Sequence, residues 1–378
     1  MSFDFPGLGR ATGSVAERFL LFVEQLEQAI LLLESGRVAR QRMALVALDN
    51  LAEGLIFHHL QKIFLASDEP TWVKHREFPA KERREAHRSF NKRVELAAEK
   101  LESVMPVYFP ERILDAHDTV VFRVGHHYRN PIYHQDRHNP TLVHPVGRLY
   151  AQAVGRAFVR SHRSGWAERS SPAFMQEIAQ LGWQGRSDNY FDARAAADAI
   201  IARICDPLTV EGSVLRTELA DDIAYRCDII DEDINMLRRD AFIELEDFLV
   251  QVQDWAANRG DEEMLRLQEE HRNLEEHAKT AGTFDETTLK AMRDLEHQQW
   301  VHLFGPEREV KAKVDLQSHV SIRSKGERLR SSRTPEAHLL EQYRQLDDDL
   351  QILESAVDVM LFETDRRAWA EEDRARGN

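Results

Sequence analysis

The chain is 378 residues long, 42% apolar and 30% charged, with a mean hydropathy of -0.51; these values exclude a fibrous or disordered protein and leave room for about two or three ordinary domains. The net charge is -15, yet residues 1–170 carry 24 basic and 20 acidic side chains whereas residues 171–378 carry 26 and 45. The acidity therefore sits in the second half, and the first half tolerates an anionic partner. No apolar run approaches the roughly 18 residues of a membrane span, and the opening MSFDFPGLGR has no charged stretch leading into an apolar one. Cys205 and Cys227 are too few for a disulfide framework. A cytoplasmic protein with no membrane contact is expected.

Helical periodicity runs through the sequence, so an all-α fold is expected, an antiparallel bundle followed by a second helical domain. Ser14 and Glu17 make a capping box, Phe19, Phe22, Leu26, Ile30 and Leu33 continue at helical spacing, and Gly36 stops the first helix. The second spans about 38–65 on Leu45, Leu48, Leu55, Ile56, Leu60 and Ile63; a third spans 79–105 and ends before Pro106 and Pro110. A fourth starts near Glu111 and reaches Arg129, where Pro131 interrupts it, and a fifth spans 145–161. These form a domain over residues 1–165. The Gly-, Ser- and Trp-rich stretch 166–189 reads as a linker. An acidic helical domain follows over 190–378, with helices at about 190–205, 212–228, 231–258, 261–280 and 284–303. Residues 305–333 lose that period, and the alternation of Val310, Ala312, Val314 and Leu316 permits a short strand. In the last helix, from Pro335, a heptad seam of Leu339, Tyr343, Leu346, Leu350, Leu353, Val357 and Met360 packs against a helix of this chain or of a second copy.

Chemistry concentrates in Val121–Asn139, VFRVGHHYRNPIYHQDRHN, which holds Arg123, His126, His127, Tyr128, Arg129, Asn130, Tyr133, His134, Arg137 and His138. Arginine is a permanently charged planar fork suited to phosphate, and histidine changes protonation near neutral pH. Arg129 and His134 converge on one ligand if Pro131 breaks the helix between them. An earlier stretch, MALVALDNLAEGLIF, sets Asp49, Asn50 and Glu53 among apolar neighbours, where a polar group needs a partner. Asn50 and Glu53 are the candidates for touching the arginine, with His126 and Tyr133 in support. Basic residues recur along one helix face at Lys81, Arg84, Arg88 and Lys92, and at Arg148, Arg156, Arg160 and Arg163; the second set has fewer acidic neighbours and is the better phosphate track. His134 and His138 have metal-ligand spacing, and His117-Asp118 is a metal-binding dipeptide elsewhere. The prolines at 131 and 140 and the missing His-Glu-x-x-His pattern argue for a site without metal or cofactor.

The Arg-x4-His spacing, with Asn directly after the Arg, in a helical setting over about residues 14–165, resembles the signature of the HEPN superfamily (higher eukaryotes and prokaryotes nucleotide-binding). Many of its members are metal-independent endoribonucleases of toxin-antitoxin, abortive-infection and antiviral CRISPR systems. The resemblance implies attack of a ribose 2′-hydroxyl on the adjacent phosphate, with His134 as general base or acid, Arg129 stabilising phosphoryl charge and Asn130 orienting His134 or hydrogen-bonding a phosphate oxygen. It also implies a homodimer in which two motifs share a cleft, an RNA substrate, and a role as toxin or defence effector with an antitoxin or defence partner. The alternative is a protein of such a system that binds RNA or a nucleotide without cleaving it, or a helical interaction protein.

Overall fold

The structure, a computed structural model, describes residues 15–67, 78–100, 112–134, 140–162, 167–185, 190–241, 262–281, 285–304 and 319–375. Over these the chain is all-α, with one short antiparallel ribbon. The helices are α1 (Val15–Leu33), α2 (Val38–Ser67), α3 (Ala80–Arg88), α4 (Phe90–Ala98), α5 (Ala116–His134), α6 (Pro140–Ser161), α7 (Pro172–Gln180), α8 (Ala193–Cys205), α9 (Gly212–Ala241), α10 (Glu262–Ala281), α11 (Glu286–Phe304), α12 (His319–Ser331) and α13 (Glu336–Ala375). The ribbon pairs β1 (Ala167–Arg169) with β2 (Tyr190–Asp192). No described helix is long and apolar enough to cross a membrane.

Two compact units emerge. Described residues up to Asp222, with Leu329–Arg344, form the first; those of Ile223–Arg328, with the stretch from Gln345, form the second. In the first unit α1 buries Phe19, Val23, Leu26, Ala29 and Leu33 along one stripe. Gly36, at φ +70°, then turns the chain so that α2 runs back along α1. Apolar residues of α2 point several ways, and the helix packs against α1, α4, α5 and α6 as the central element. The stretch 166–189, expected as a linker, holds β1 and α7: Phe174 and Trp183 set their rings 4.9 and 5.8 Å from Phe191 and fix it to the first unit. Buried Asp222 accepts hydrogen bonds from Tyr343 at 2.7 Å and Tyr128 at 3.3 Å, fastening the start of α13 to α5.

Several element boundaries differ from expectation. The helix expected over 79–105 is two, because extended Ser89 separates them and caps α4 through its Oγ, which accepts from the Lys92 amide at 3.3 Å. Helix α5 does not stop at Arg129 but continues through Pro131 to His134. Proline removes one backbone donor there, and the buried residues Phe122, Val124 and Tyr128 of the preceding turns hold the helix in place. Helix α6 begins at Pro140, ahead of the expected 145, and keeps Pro145 within its early turns. No break divides α9, since Ile223, Cys227, Ile230, Ile234 and Leu237 are buried at continuous helical spacing. Residues 319–331, expected to lack helical period, form α12; the alternating 310–316 and the capping residue Ser14 lie outside the described residues.

In the second unit, Leu346, Leu350, Leu353 and Val357 of the seam are buried within the single chain. Beside them the fully buried Arg226 of α9 donates from Nε and a terminal nitrogen to Glu354 at 2.8 and 3.0 Å, and its other terminal nitrogen pairs with Asp347. Two carboxylates without water demand such a cation. Arg226→Met is expected to lower stability by about 3–5 kcal/mol in urea unfolding followed by helical circular dichroism. Replacing Arg226, Asp347 and Glu354 together by Met and Leu is expected to recover most of it; a triple variant no better than the single one would contradict the pairing.

Candidate functional site

Four helices of the first unit converge on one carboxylate. Asp49 lies on the inward face of α2 between Leu48 and Leu51 and is 0% exposed. Its Oδ2 accepts from the Arg129 guanidinium of α5 at 2.6 Å. Its Oδ1 takes the Tyr150 hydroxyl of α6 at 2.8 Å and His126 Nδ1 of α5 at 2.9 Å. His126 and Arg129 are three residues apart and share a helix face, which explains why one acid reaches both. The fourth helix supplies Phe90, whose ring stacks on the His126 imidazole at 3.7 Å and 13°, and Arg93, whose guanidinium lies over Phe90 at 5.6 Å. Arg93 also pairs at 3.4 Å with Glu53, one turn beyond Asp49, and Glu53 stands 3.8 Å from His126. Gly125 makes room for Tyr150: a Cβ there would come within 2.7 Å of its ring.

Burial by itself raises the pKa of Asp49; the hydrogen bonds and charges of His126, Tyr150 and Arg129 outweigh it and hold the carboxyl below its usual range. Burial and the Asp49 charge push the Tyr150 phenol well above its ordinary value, so it serves as a donor. A carboxylate can only accept, which places the proton of neutral His126 on Nδ1 and leaves the Nε2 lone pair for a ligand. The His126 side chain is 22% exposed and that of Arg129 32%. A guanidinium and an imidazole are therefore oriented side by side from within while both remain open to solvent.

Other residues named from sequence fall differently. Asn50 is exposed, and its neighbour Asp49 makes the contact with Arg129. Asn130, Tyr133 and His134 lie on α5, but their side chains are outside the described residues. Because α5 is unbroken at Pro131, positions 129 and 134 stand about 140° apart around its axis; the expected helix break between them is absent. Arg148 pairs with Glu34 at 2.5 Å. Arg156 and Arg160 both engage the buried Asp118, and Arg160 reaches Asp115 at 2.6 Å. The face expected to track phosphate is thus charge-compensated at these three residues, and Arg163 lies outside the described ones. Asp49 stands out in the sequence as an acid among leucines that must find donors, but the arginine contact was expected of Asn50 and Glu53, and Tyr150 was not expected at the site.

Among the described residues, two groups hold ligand atoms close enough for a metal ion, Asp49 with Glu53 and His126, and Asp115 with His117 and Asp118, each set within 4.8 Å. In the first, Arg129 and Arg93 already neutralise the carboxylates, and in the second Arg156 and Arg160 do so. A divalent ion would have to displace these guanidinium contacts.

A depressed carboxylate contributes stability above its unfolded pKa of about 3.9 and loses it as the pH falls through the folded value. Tyr150→Phe removes one of the donors holding Asp49 down and raises its folded pKa. The variant is expected to lose about 1 kcal/mol at pH 7 and to approach the parent protein as the pH drops below that unfolded value, in denaturation series across pH; a pH-independent difference would show that Tyr150 acts by packing alone. No family model matches the chain, and neither the curated proteins nor the solved structures contain a match, so the chemistry of the site is read from its own residues.

Proposed function

We propose that the chain is a metal-independent endoribonuclease that cleaves RNA by 2′-hydroxyl attack. The observation supporting this reading is the buried Asp49 holding a partly exposed guanidinium and a partly exposed imidazole on one helix face. In the reaction the 2′-oxygen bonds to phosphorus and the bond to the 5′-oxygen breaks, leaving a 2′,3′-cyclic phosphate and a 5′-hydroxyl. Arg129 neutralises charge growing on the phosphoryl oxygens. A base must take the 2′-proton and an acid must supply one to the leaving oxygen. His126 suits the first role, since Asp49 fixes its tautomer with Nε2 as acceptor. His134, named by the HEPN resemblance, is the candidate for the second, with Asn130 and Tyr133 beside it.

Positions 129 and 134 do not share a face of the continuous α5. That register favours a homodimer in which Arg129 of one copy works with His134 of the other. A role as toxin or defence effector, with a partner protein that restrains it, goes with this reading. The same register favours, as second reading, a protein that binds RNA without cleaving it if no second copy completes the pocket.

The test is incubation of labelled single-stranded RNA and tRNA in EDTA. Cleavage that survives the chelator, falls about 100-fold or more in Arg129→Ala, and falls about 100-fold in His126→Ala and in His134→Ala, is the expected outcome. Binding without cleavage would establish the second reading, and cleavage abolished by EDTA would contradict the proposal.

A further inference from the structure

A cavity of about 480 Å³ opens in the first unit where α1 turns into α2 and α6 begins; Glu34, Val38, Gln41, Pro140, Thr141 and His144 stand on its wall. Two helices start there, α2 at Val38 and α6 at Pro140, and neither has an acidic residue in its first turn. The positive ends of two long helices therefore face the cavity without a counter-charge of their own. The first bond inside α2 runs from the Gln41 amide to the Arg37 carbonyl at 3.0 Å, which makes Arg37 the N-cap, a residue whose side chain only donates. Among the described residues the backbone amides of Val38 and Ala39 have no acceptor. Gln41 is a second and independent observation. It is 8% exposed, and among the described residues its side chain makes no hydrogen bond. Burying an amide without a partner is unfavourable, and this one is not sealed in the interior but opens on the cavity that Gln41 lines.

We propose that this cavity binds the phosphate group of a small ligand, with the Val38 and Ala39 amides and the Gln41 carboxamide donating to its oxygens and His144 exchanging a proton with it. The acids on the wall are already engaged. Glu34 accepts from Arg148 at 2.8 and 2.5 Å and from His144 Nε2 at 3.1 Å, and Glu218 takes the Thr141 hydroxyl. Because a carboxylate only accepts, Glu34 fixes the proton of neutral His144 on Nε2 and leaves Nδ1 for the ligand. Three donors from the start of α2 and an imidazole from α6 exceed what the two oxygens of a planar carboxylate can satisfy, whereas a tetrahedral phosphate offers an oxygen in each direction. A phosphate ion alone would leave much of the cavity empty, and the volume falls within the roughly 300–1,000 Å³ of small-molecule sites, so a phosphate monoester is the better fit. Gln41 stands eight residues before Asp49 on α2, about 12 Å along the helix. The site is therefore separate from the arginine and histidine pair and independent of whether that pair cleaves RNA.

The experiment titrates inorganic phosphate, glycerol 3-phosphate and, as reference, sodium chloride into the full chain at matched ionic strength. Heteronuclear NMR follows the backbone amides of Val38 and Ala39, the Gln41 carboxamide and the His144 ring, with the His126 ring as control. Saturable shifts at the first four are expected with a phosphate-bearing ligand and not with chloride. Tighter binding of glycerol 3-phosphate identifies a monoester as the ligand, and binding of inorganic phosphate that is as tight or tighter identifies the free ion. Gln41→Leu removes a hydrogen bond to a charged acceptor and is expected to weaken binding about tenfold. Its urea midpoint is expected to stay level or rise, because an unpartnered amide has left the interior. Gln41→Glu keeps the shape, adds a negative charge and is expected to abolish the saturable shifts. No saturable shift at Val38 and His144 with either ligand would overturn the proposal. So would shifts confined to His126, or an affinity unchanged in either variant that folds. Loss of RNA cleavage has no bearing on this readout.

Discussion

A carboxylate without water must be met by donors, and at Asp49 that requirement sets the geometry of the first unit's interior. The donors come from α5 and α6, and none is local in sequence: Arg129 lies 80 residues away and Tyr150 101. Their convergence fixes the rotation of α5 and α6 about α2, since turning either helix would leave a buried negative charge uncompensated, a loss of several kcal/mol. The same contacts orient the two groups that face solvent. Structural constraint and chemical capability therefore meet in one atom group, and the stacked Phe90 further restrains the His126 ring.

The pattern recurs across the fold. Asp118 is met by Arg156 and Arg160, Asp222 by two tyrosines, and Arg226 by Asp347 and Glu354. The pairings of Asp118 and Arg226 consume cations that a reading of charge along a helix counts as available. This is why the arginine stripe on α6 is charge-compensated at Arg148, Arg156 and Arg160.

How much of this could be read in advance depends on range. Helices α1 and α13 follow from apolar spacing because each buries a stripe whose period is its own, and α2 from its long apolar run. Arg129 and His126 are visible as a concentration of chemistry, and their three-residue spacing announces a shared face. What the spacing does not contain is the packing of α5 on α2 that delivers them to Asp49 and not to Asn50. Pro131 misleads for the same reason, since tertiary contacts around Phe122 and Tyr128 sustain a helix that local preference would end. Ser89 is the converse case, in which a local cap divides a helix that apolar spacing alone joins. In α12 only Ile322 and Leu329 carry the core-facing signal, too sparse to read as periodicity among so many charged neighbours.

The central claim is that Asp49 positions Arg129 and His126 for transfer of a phosphoryl group from a 5′-oxygen to a 2′-oxygen. It is tested most directly by the chemistry of the ends produced. Phosphorus NMR of a short RNA after incubation with the purified chain is predicted to show the resonance of a five-membered 2′,3′-cyclic phosphate accompanying new 5′-hydroxyl termini. Products bearing 5′-phosphates and 3′-hydroxyls would mean that water attacked instead, and would contradict the account.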